Sequence, residues 1–413
     1  MSRVIIIGGG IIGLTSAWYL QKSGYEVTII DKSDLSDNCS YGNAGMIVPS
    51  HFVPLAAPGM IEKGIRWMFN SKSPFYVRPS LNAGLFSWGL KFMQNATSEK
   101  AERAAIPLRD ISLLSKALFE DIERDLGDFG LQENGILMMY KTAKTEEEEL
   151  HLAEKARSLG LDVQQLSAKE CKDLQPGLEV DIKGAVHYKC DAHLYPYVLM
   201  SMLISRLEAS GVKFARNKAI TRIKTGEGKI LGIYSGDEHF TADYYVLASG
   251  SWSPEVAALA GLKIPMMPGK GYSFMLPEPQ KRMHIPALLC EAKVAVTPMN
   301  GSIRLGGTME IDKINSRVNM NRVKGIVEST RNYFPGLKPE LPEISNVWYG
   351  FRPCSPDGLP YIGRSQKLNN LIVATGHGMM GLSLGPATGK LVSELIKEEK
   401  TSLDVSVYSP NRF

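Results

Sequence analysis

The sequence predicts a mixed α/β (α+β) fold, in which a parallel-sheet domain carries a second domain of antiparallel sheet plus helices. Three observations carry this expectation. The chain opens on a strand, glycine-turn, helix, strand unit. Two further apolar stretches, Tyr244–Gly250 and Leu371–Gly378, end in small residues like the first. Between them run short alternating segments that read as antiparallel strands.

The opening unit is the most informative. Val4–Ile7 is an apolar, β-branched run of the kind buried in a parallel sheet. It breaks at Gly8, Gly10 and Gly13, in G-x-G-x-x-G spacing. A helix is expected to about Ser23, with Gly24 suited to its C-terminal cap. The second strand, Glu26–Ile30, ends at Asp31. In such a Rossmann-like unit Gly8 permits the tight turn and Gly10 lets the backbone approach a pyrophosphate at the helix N-terminus. Gly13 allows close helix–strand packing, and Asp31 accepts from a ribose.

The rest follows in order. Residues 60–135 read as mostly helical, as do Ala143–Gly160 and Leu194–Gly211. A meander of four strands is expected at Lys213–Arg216, Ala219–Thr225, Lys229–Ser235 and Glu238–Ala242. Residues 260–345 alternate strands with loops, and a last helix runs from about Gly385 to Glu398. The expected division is a dinucleotide domain from residues 1–59, 191–259 and 346–413, and a substrate domain from residues 60–190 and 260–345.

Composition excludes several classes. At 413 residues the chain is long enough for two cores. Its 47 basic and 43 acidic residues give a net charge of +4, which does not argue for nucleic acid. Cys39, Cys171, Cys190, Cys290 and Cys354 are scattered without a C-x-x-C pair, the pattern of a reducing compartment. The seven histidines show no metal-ligand spacing, so no metal is expected. No apolar run reaches the ~18 residues of a membrane span. A cytoplasmic protein is expected. The aromatic and basic segment Gly59–Phe69, with Phe86, Trp88 and Lys91–Met93, has the composition of a peripheral contact on the inner face of the membrane. Packing inside the substrate domain is the plainer reading of the same residues.

Further motifs are distributed along the chain. They are Ser40-x-x-Asn43-Ala44-Gly45 with Pro54-Leu-Ala-Ala-Pro-Gly59, Val246-Leu-Ala-Ser-Gly-Ser-Trp252, and Pro268-Gly-Lys-Gly-Tyr272-Ser. Arg304-Leu-Gly-Gly-Thr-Met-Glu310, Trp348-Tyr-Gly-Phe-Arg352-Pro-x-x-Pro356-Asp357-Gly and Gly376-His377-Gly378 follow. With the opening fingerprint, these make the whole chain resemble the glycine oxidase / D-amino-acid oxidase superfamily of FAD-dependent amine oxidoreductases. Within it, the bacterial D-amino-acid dehydrogenases are most similar.

The resemblance implies non-covalent FAD. Its contacts would come from Gly8, Gly10, Ile11, Ile12, Gly13, Asp31, Lys32, Asn43, Ala44, Gly45, Met46, Ala219, Ser249 and Gly250, then His377, Gly378, Met379, Met380, Gly381, Leu382 and Ser383. Arg352 is expected to hold a substrate carboxylate through its guanidinium fork. Tyr272 or Tyr349 would add a hydroxyl, and His377 is a further candidate. No side chain stands out as a base. An amino acid bound as the neutral amine can pass its α-hydride to flavin N5 without one. Relatives of the sarcosine-oxidase type attach FAD through a cysteine where this chain has Gly350, and use a lysine to assist oxygen where it has Arg304. Both departures favour a dehydrogenase. The expected activity is oxidation of a D-amino acid or cyclic D-imino acid, of the D-proline or 4-hydroxy-D-proline type, with electrons leaving to a quinone or another redox carrier. The alternatives are an amine oxidase of glycine or sarcosine using oxygen, and a non-catalytic flavin-binding electron-transfer or assembly subunit. An NAD-only dehydrogenase is disfavoured by the Asn43–Gly45 and Gly376–Gly378 loops.

Overall fold

A computed structural model of the chain describes residues 1–59, 62, 75–78 and 83–413. Most of the aromatic and basic segment Gly59–Phe69 lies outside the described residues.

The β-branched opening run becomes a central strand, Arg3–Ile7, of a six-stranded sheet. The sheet order is Tyr361–Arg364, Leu371–Thr375, Tyr244–Leu247, Arg3–Ile7, Glu26–Ile30 and Lys213–Ala215. All neighbours are parallel except the edge pair Tyr361–Arg364 and Leu371–Thr375. Its strands come from three separated stretches of chain, and each central strand is buried on both faces, hence the near-continuous apolar runs. Lys213–Ala215 departs from the expected meander. It pairs in parallel with Thr28–Ile30, while Arg222–Gly226, Lys229–Ser235 and Glu238–Phe240 form a separate three-stranded sheet.

The helix Ile11–Lys22 ends as its sequence suggests. Gly24 takes φ +83°, its amide donates to Gln21 O, and Tyr25 N–H donates to Leu20 O. That pattern is a Schellman cap. The last helix, Gly385–Lys397, packs on the first so tightly that a Cβ on Gly389 would lie 2.5 Å from the Thr15 backbone.

The second large sheet has nine strands. Along its main path run Trp348–Cys354, Met267–Leu276, Ser302–Ile311, Val294–Met299, Ala287–Leu289, Ile136–Tyr140, Gly184–Tyr188 and Val163–Ser167. Phe75–Val77 pairs in parallel with Met309–Ile311, and Ala287–Leu289 in parallel with Leu137–Met139; the remaining pairs are antiparallel. Trp348–Cys354, grouped from sequence with the dinucleotide segments, is therefore the edge strand of this larger sheet. The helix Met320–Tyr333 packs on its outer face through Val323, Ile326 and Val327. The opposite face turns towards the C-terminal ends of the parallel strands, the position at which open α/β sheets bind ligands.

Candidate active site

A cavity of about 1150 Å³ lies between the two sheets. Its lining gathers most of the expected cofactor residues: Gly8, Gly10, Ile11, Ile12, Asp31, Lys32, Asn43, Ala44, Met46, Ala219, Ser249, Gly250, and Gly378 to Leu382. Three expected residues do not line it. Gly13 is spent on packing, since a Cβ there would lie 1.9 Å from Gly8 O. Gly45, at φ +76°, packs on the carbonyl of Leu194. Ser383 is buried and its Oγ accepts from Val48 N–H at 3.0 Å.

The glycine turn is shaped for a ligand. Gly8, at φ +113°, passes so close to Ala248 that a Cβ would lie 2.5 Å from its carbonyl oxygen. Gly10 is different. Its φ is an ordinary −73°, and a Cβ would meet nothing nearer than Ser40 Oγ at 3.6 Å. Neither backbone nor packing requires glycine there, so the requirement lies on the cavity side, beside the helix N-terminus. Such a terminus suits a pyrophosphate. Ser40 Oγ accepts from Ile11 N–H at 3.1 Å, and Asp31 braces the turn by accepting from Gly9 N–H at 2.7 Å. Asp31 also accepts from Ser33 N–H and Oγ–H through its other oxygen. The Lys32 ammonium lies 3.4 Å from the centre of the Trp252 ring. These residues fit a flavin dinucleotide in a cradle of backbone and small side chains.

Asp31→Ala is expected to lower FAD occupancy on two counts. The ribose loses an acceptor, and the Gly9 amide loses the bond that sets the turn. FAD titration of apoprotein checks this; unchanged affinity would show that Asp31 braces the turn without serving the cofactor.

At the other margin stands Arg352. Its Nη1 donates to Thr308 O at 2.6 Å, and no carboxylate pairs with it among the described residues. Burial pulls its pKa below the usual arginine range. A desolvated guanidinium without a counter-charge is costly and favours an incoming carboxylate. Two backbone features place it. A bulge between Gly307 and Glu310 sets Thr308 at φ +63°, unusual for a β-branched residue. The guanidinium lies over Gly271, where a Cβ would come within 2.2 Å of Nη1.

Both tyrosine candidates line the cavity, and as cross-strand partners they share a face of the sheet. The Tyr349 ring lines the cavity and stacks edge-on with Phe351. Tyr272 is buried in the core of the larger sheet; its hydroxyl accepts from Asn319 N–H at 3.2 Å and stands beside Glu310. That hydroxyl already has a backbone partner, which leaves it less free than the Tyr349 hydroxyl to meet a substrate carboxylate. His377 lines the cavity but is likewise bonded within the protein. Its ring is buried, Nε2 meets Thr388 Oγ1 at 2.9 Å, and burial lowers its pKa to about 3. It is a neutral histidine tying its loop to the last helix; its contribution to the lining is positional. Arg304 donates from Nη1 to Tyr41 O at 2.8 Å and Asn43 O at 2.6 Å, clamping the loop of the Asn43 motif.

Sequence reasoning assigned no role to Cys39, His51 or Gly271, all of which line the cavity. Only Gly271 left a signal, in Gly269-Lys270-Gly271. Cys39 Sγ accepts from Phe351 N–H at 3.3 Å, and burial raises its pKa. Burial pushes the Cys354 thiol up to about 12. Protonated thiols are poor nucleophiles. Acid or heat is therefore expected to release all the FAD from the protein; yellow colour retained by the denatured chain would contradict this.

The two-layer site sets a glycine-lined dinucleotide groove opposite an arginine that has no carboxylate partner among the described residues, as suits a flavin-dependent enzyme. Residues 3–395 match the family described as FAD dependent oxidoreductase, and the chain belongs to that family. It is 30% identical to a D-amino acid dehydrogenase of Helicobacter pylori over 411 residues, 98% of both chains. It is 29% identical to one of Bradyrhizobium diazoefficiens over 418 residues, covering 100% of this chain and 99% of that one. Among solved structures, glycine oxidase from Geobacillus kaustophilus superposes over 100% of both chains with a TM-score of 0.80 at 23% identity. L-proline dehydrogenase from P. horikoshii has a TM-score of 0.76 at 22% identity, over 100% of this chain and 97% of that one. At these identities the structural likenesses speak to fold alone. No described helix is long and apolar enough to cross a membrane.

Proposed function

We propose that the chain is an FAD-dependent dehydrogenase of a D-amino acid or cyclic D-imino acid. The observation that carries the reading is Arg352: a half-buried guanidinium on the cavity wall opposite the dinucleotide groove, with no carboxylate partner among the described residues. The names of the full-length relatives support the D-amino acid class. Arg352 holds the substrate carboxylate through its fork, and Thr308 O and the open face of Gly271 fix the plane of that fork. Tyr349 walls the site. FAD, when bound, accepts the electron pair of the α-C–H bond. The protein supplies orientation. The expected product is an imino acid, and an acyclic one hydrolyses to a keto acid and ammonia. The division into an FAD domain of residues 1–59, 191–259 and 346–413 and a substrate domain of residues 60–190 and 260–345 is part of this proposal, with Trp348–Cys354 bridging the two.

The acceptor follows from Arg304. Its charge is spent on the carbonyls of Tyr41 and Asn43, so it offers no mobile cation to assist oxygen. Reduced enzyme is expected to reoxidise slowly in air-saturated buffer and quickly with a quinone analogue. With a dye acceptor, D-forms are expected to yield keto acid where L-forms do not. Rapid reoxidation by oxygen would move the protein to the amine oxidases, and turnover of L-forms or of glycine and sarcosine alone would overturn the substrate class.

A further inference from the structure

One hydrogen-bonded relay, which reaches the cavity wall through His51, is unused by this mechanism. Asp191 is fully buried and accepts from Ser50 N–H at 2.9 Å and from Ser50 Oγ–H at 2.5 Å. Ser50 Oγ also meets His51 Nδ1 at 3.1 Å. Burial raises the Asp191 pKa to about 7; above that pH the carboxylate takes the serine proton, so Ser50 Oγ can only accept from the ring. That fixes the proton of His51 on Nδ1 and leaves a lone pair on Nε2. His51 lines the cavity, and among the described residues no group bonds to its Nε2. Burial and the nearby Lys293 charge lower the His51 pKa to about 4, which keeps the ring neutral.

His51 and Arg352 line the same cavity, together with a row of residues on the larger sheet. Ser273, Gly306, Ala295 and Leu288 are successive cross-strand partners and all line the cavity. Cross-strand partners share a face, so they form a floor of mostly small residues that leaves room for a side chain. Arg352 stands over the edge of this sheet. Lys293, immediately before the strand that carries Ala295, lies near His51 on the far side.

We propose that His51 reads the substrate side chain: its Nε2, presented as a bare acceptor by Ser50 and Asp191, receives a hydrogen bond from a neutral donor, a hydroxyl above all, on the amino acid whose carboxylate Arg352 holds. The inference rests on the reading of the site as an amino-acid dehydrogenase. Lys293 disfavours cationic side chains there. Ser50 and Asp191 are positioning residues that fix the tautomer.

The test compares pairs differing by one hydroxyl: D-threonine with its isostere D-valine, and 4-hydroxy-D-proline with D-proline. In FAD-loaded wild type, kcat/KM for flavin reduction is expected to favour the hydroxylated member of at least one pair by about tenfold, the worth of one net hydrogen bond. His51→Phe should erase that preference and His51→Gln, which keeps an acceptor, should restore part of it. Ser50→Ala should weaken it and Ser50→Thr retain it, a contrast that a merely structural serine would not give. FAD content reports folding of each variant. Wild type without a preference in either pair, or a preference that survives His51→Phe, overturns the proposal. A second readout separates this from failure of the dehydrogenase reading: binding of the non-oxidisable acids 3-hydroxybutyrate and butyrate, followed by the flavin difference spectrum. If no amino acid bleaches the flavin yet 3-hydroxybutyrate binds more tightly in a His51-dependent manner, the activity is wrong and the subsite stands. Equal binding of the two acids overturns the subsite.

Discussion

Arg352→Ala is expected to weaken substrate binding by roughly 30- to 1000-fold while FAD content holds. A buried charge-assisted pair is worth on the order of 2–4 kcal/mol, and each 1.4 kcal/mol is tenfold. The structure adds a second expectation. Arg352 has no counter-charge among the described residues, only the Thr308 carbonyl. Removing it relieves a desolvated charge, so the free protein should not lose stability as it would on breaking a buried ion pair. Arg352→Lys keeps a charge but loses the planar fork, and should fall between wild type and Ala. Steady-state kinetics and thermal denaturation of the three proteins check both parts. Unchanged kinetics in the Ala variant would remove Arg352 from the site.

The second large effect belongs to the glycine turn, and it separates two reasons for glycine. Gly13→Ala places a methyl 1.9 Å from a backbone carbonyl, that of Gly8, which cannot rotate away. Overpacking of this kind costs about 1–3 kcal/mol, and here the upper end applies. The apoprotein is expected to melt several degrees lower and FAD occupancy to collapse. Gly10→Ala adds a methyl that meets only Ser40 Oγ, at 3.6 Å, and its φ suits any residue. The apoprotein should keep its melting temperature and still lose FAD affinity, because the methyl enters the cofactor's space. A Gly10→Ala protein that binds FAD normally would contradict the placement of the pyrophosphate.

The fingerprint was legible because each of its constraints is local. Gly8, Gly13 and Gly24 are dictated by a turn, a close approach and a cap, all within one βαβ unit. The parallel strands were legible from apolar runs ending in small residues. Lys213–Ala215 was misplaced because a three-residue strand carries too little alternation to show its partner, and proximity in sequence suggested the meander.

Side-chain direction was less legible. Whether the Tyr272 hydroxyl is free for a substrate depends on its partner Asn319, and Gly-Lys-Gly-Tyr-Ser does not encode that. His377 stood in the expected loop, but its partner, Thr388, lies on the following helix and was visible only once the loop was folded. His51 left no sequence signal because its relay joins residues 50 and 191, brought together where Met46–Ile47 pairs with Ala192–His193.

The central claim is that this site binds a D-amino or D-imino acid by its carboxylate and takes electrons from its α-carbon. Anaerobic mixing of purified FAD-loaded protein with D- and L-amino acids, both prolines, glycine and sarcosine, watching the flavin absorbance, tests it most directly. Bleaching by D-forms faster than by their L-enantiomers, lost in Arg352→Ala, is the expected result. A flavin that no D-acid bleaches, or that L-forms bleach faster, would contradict it.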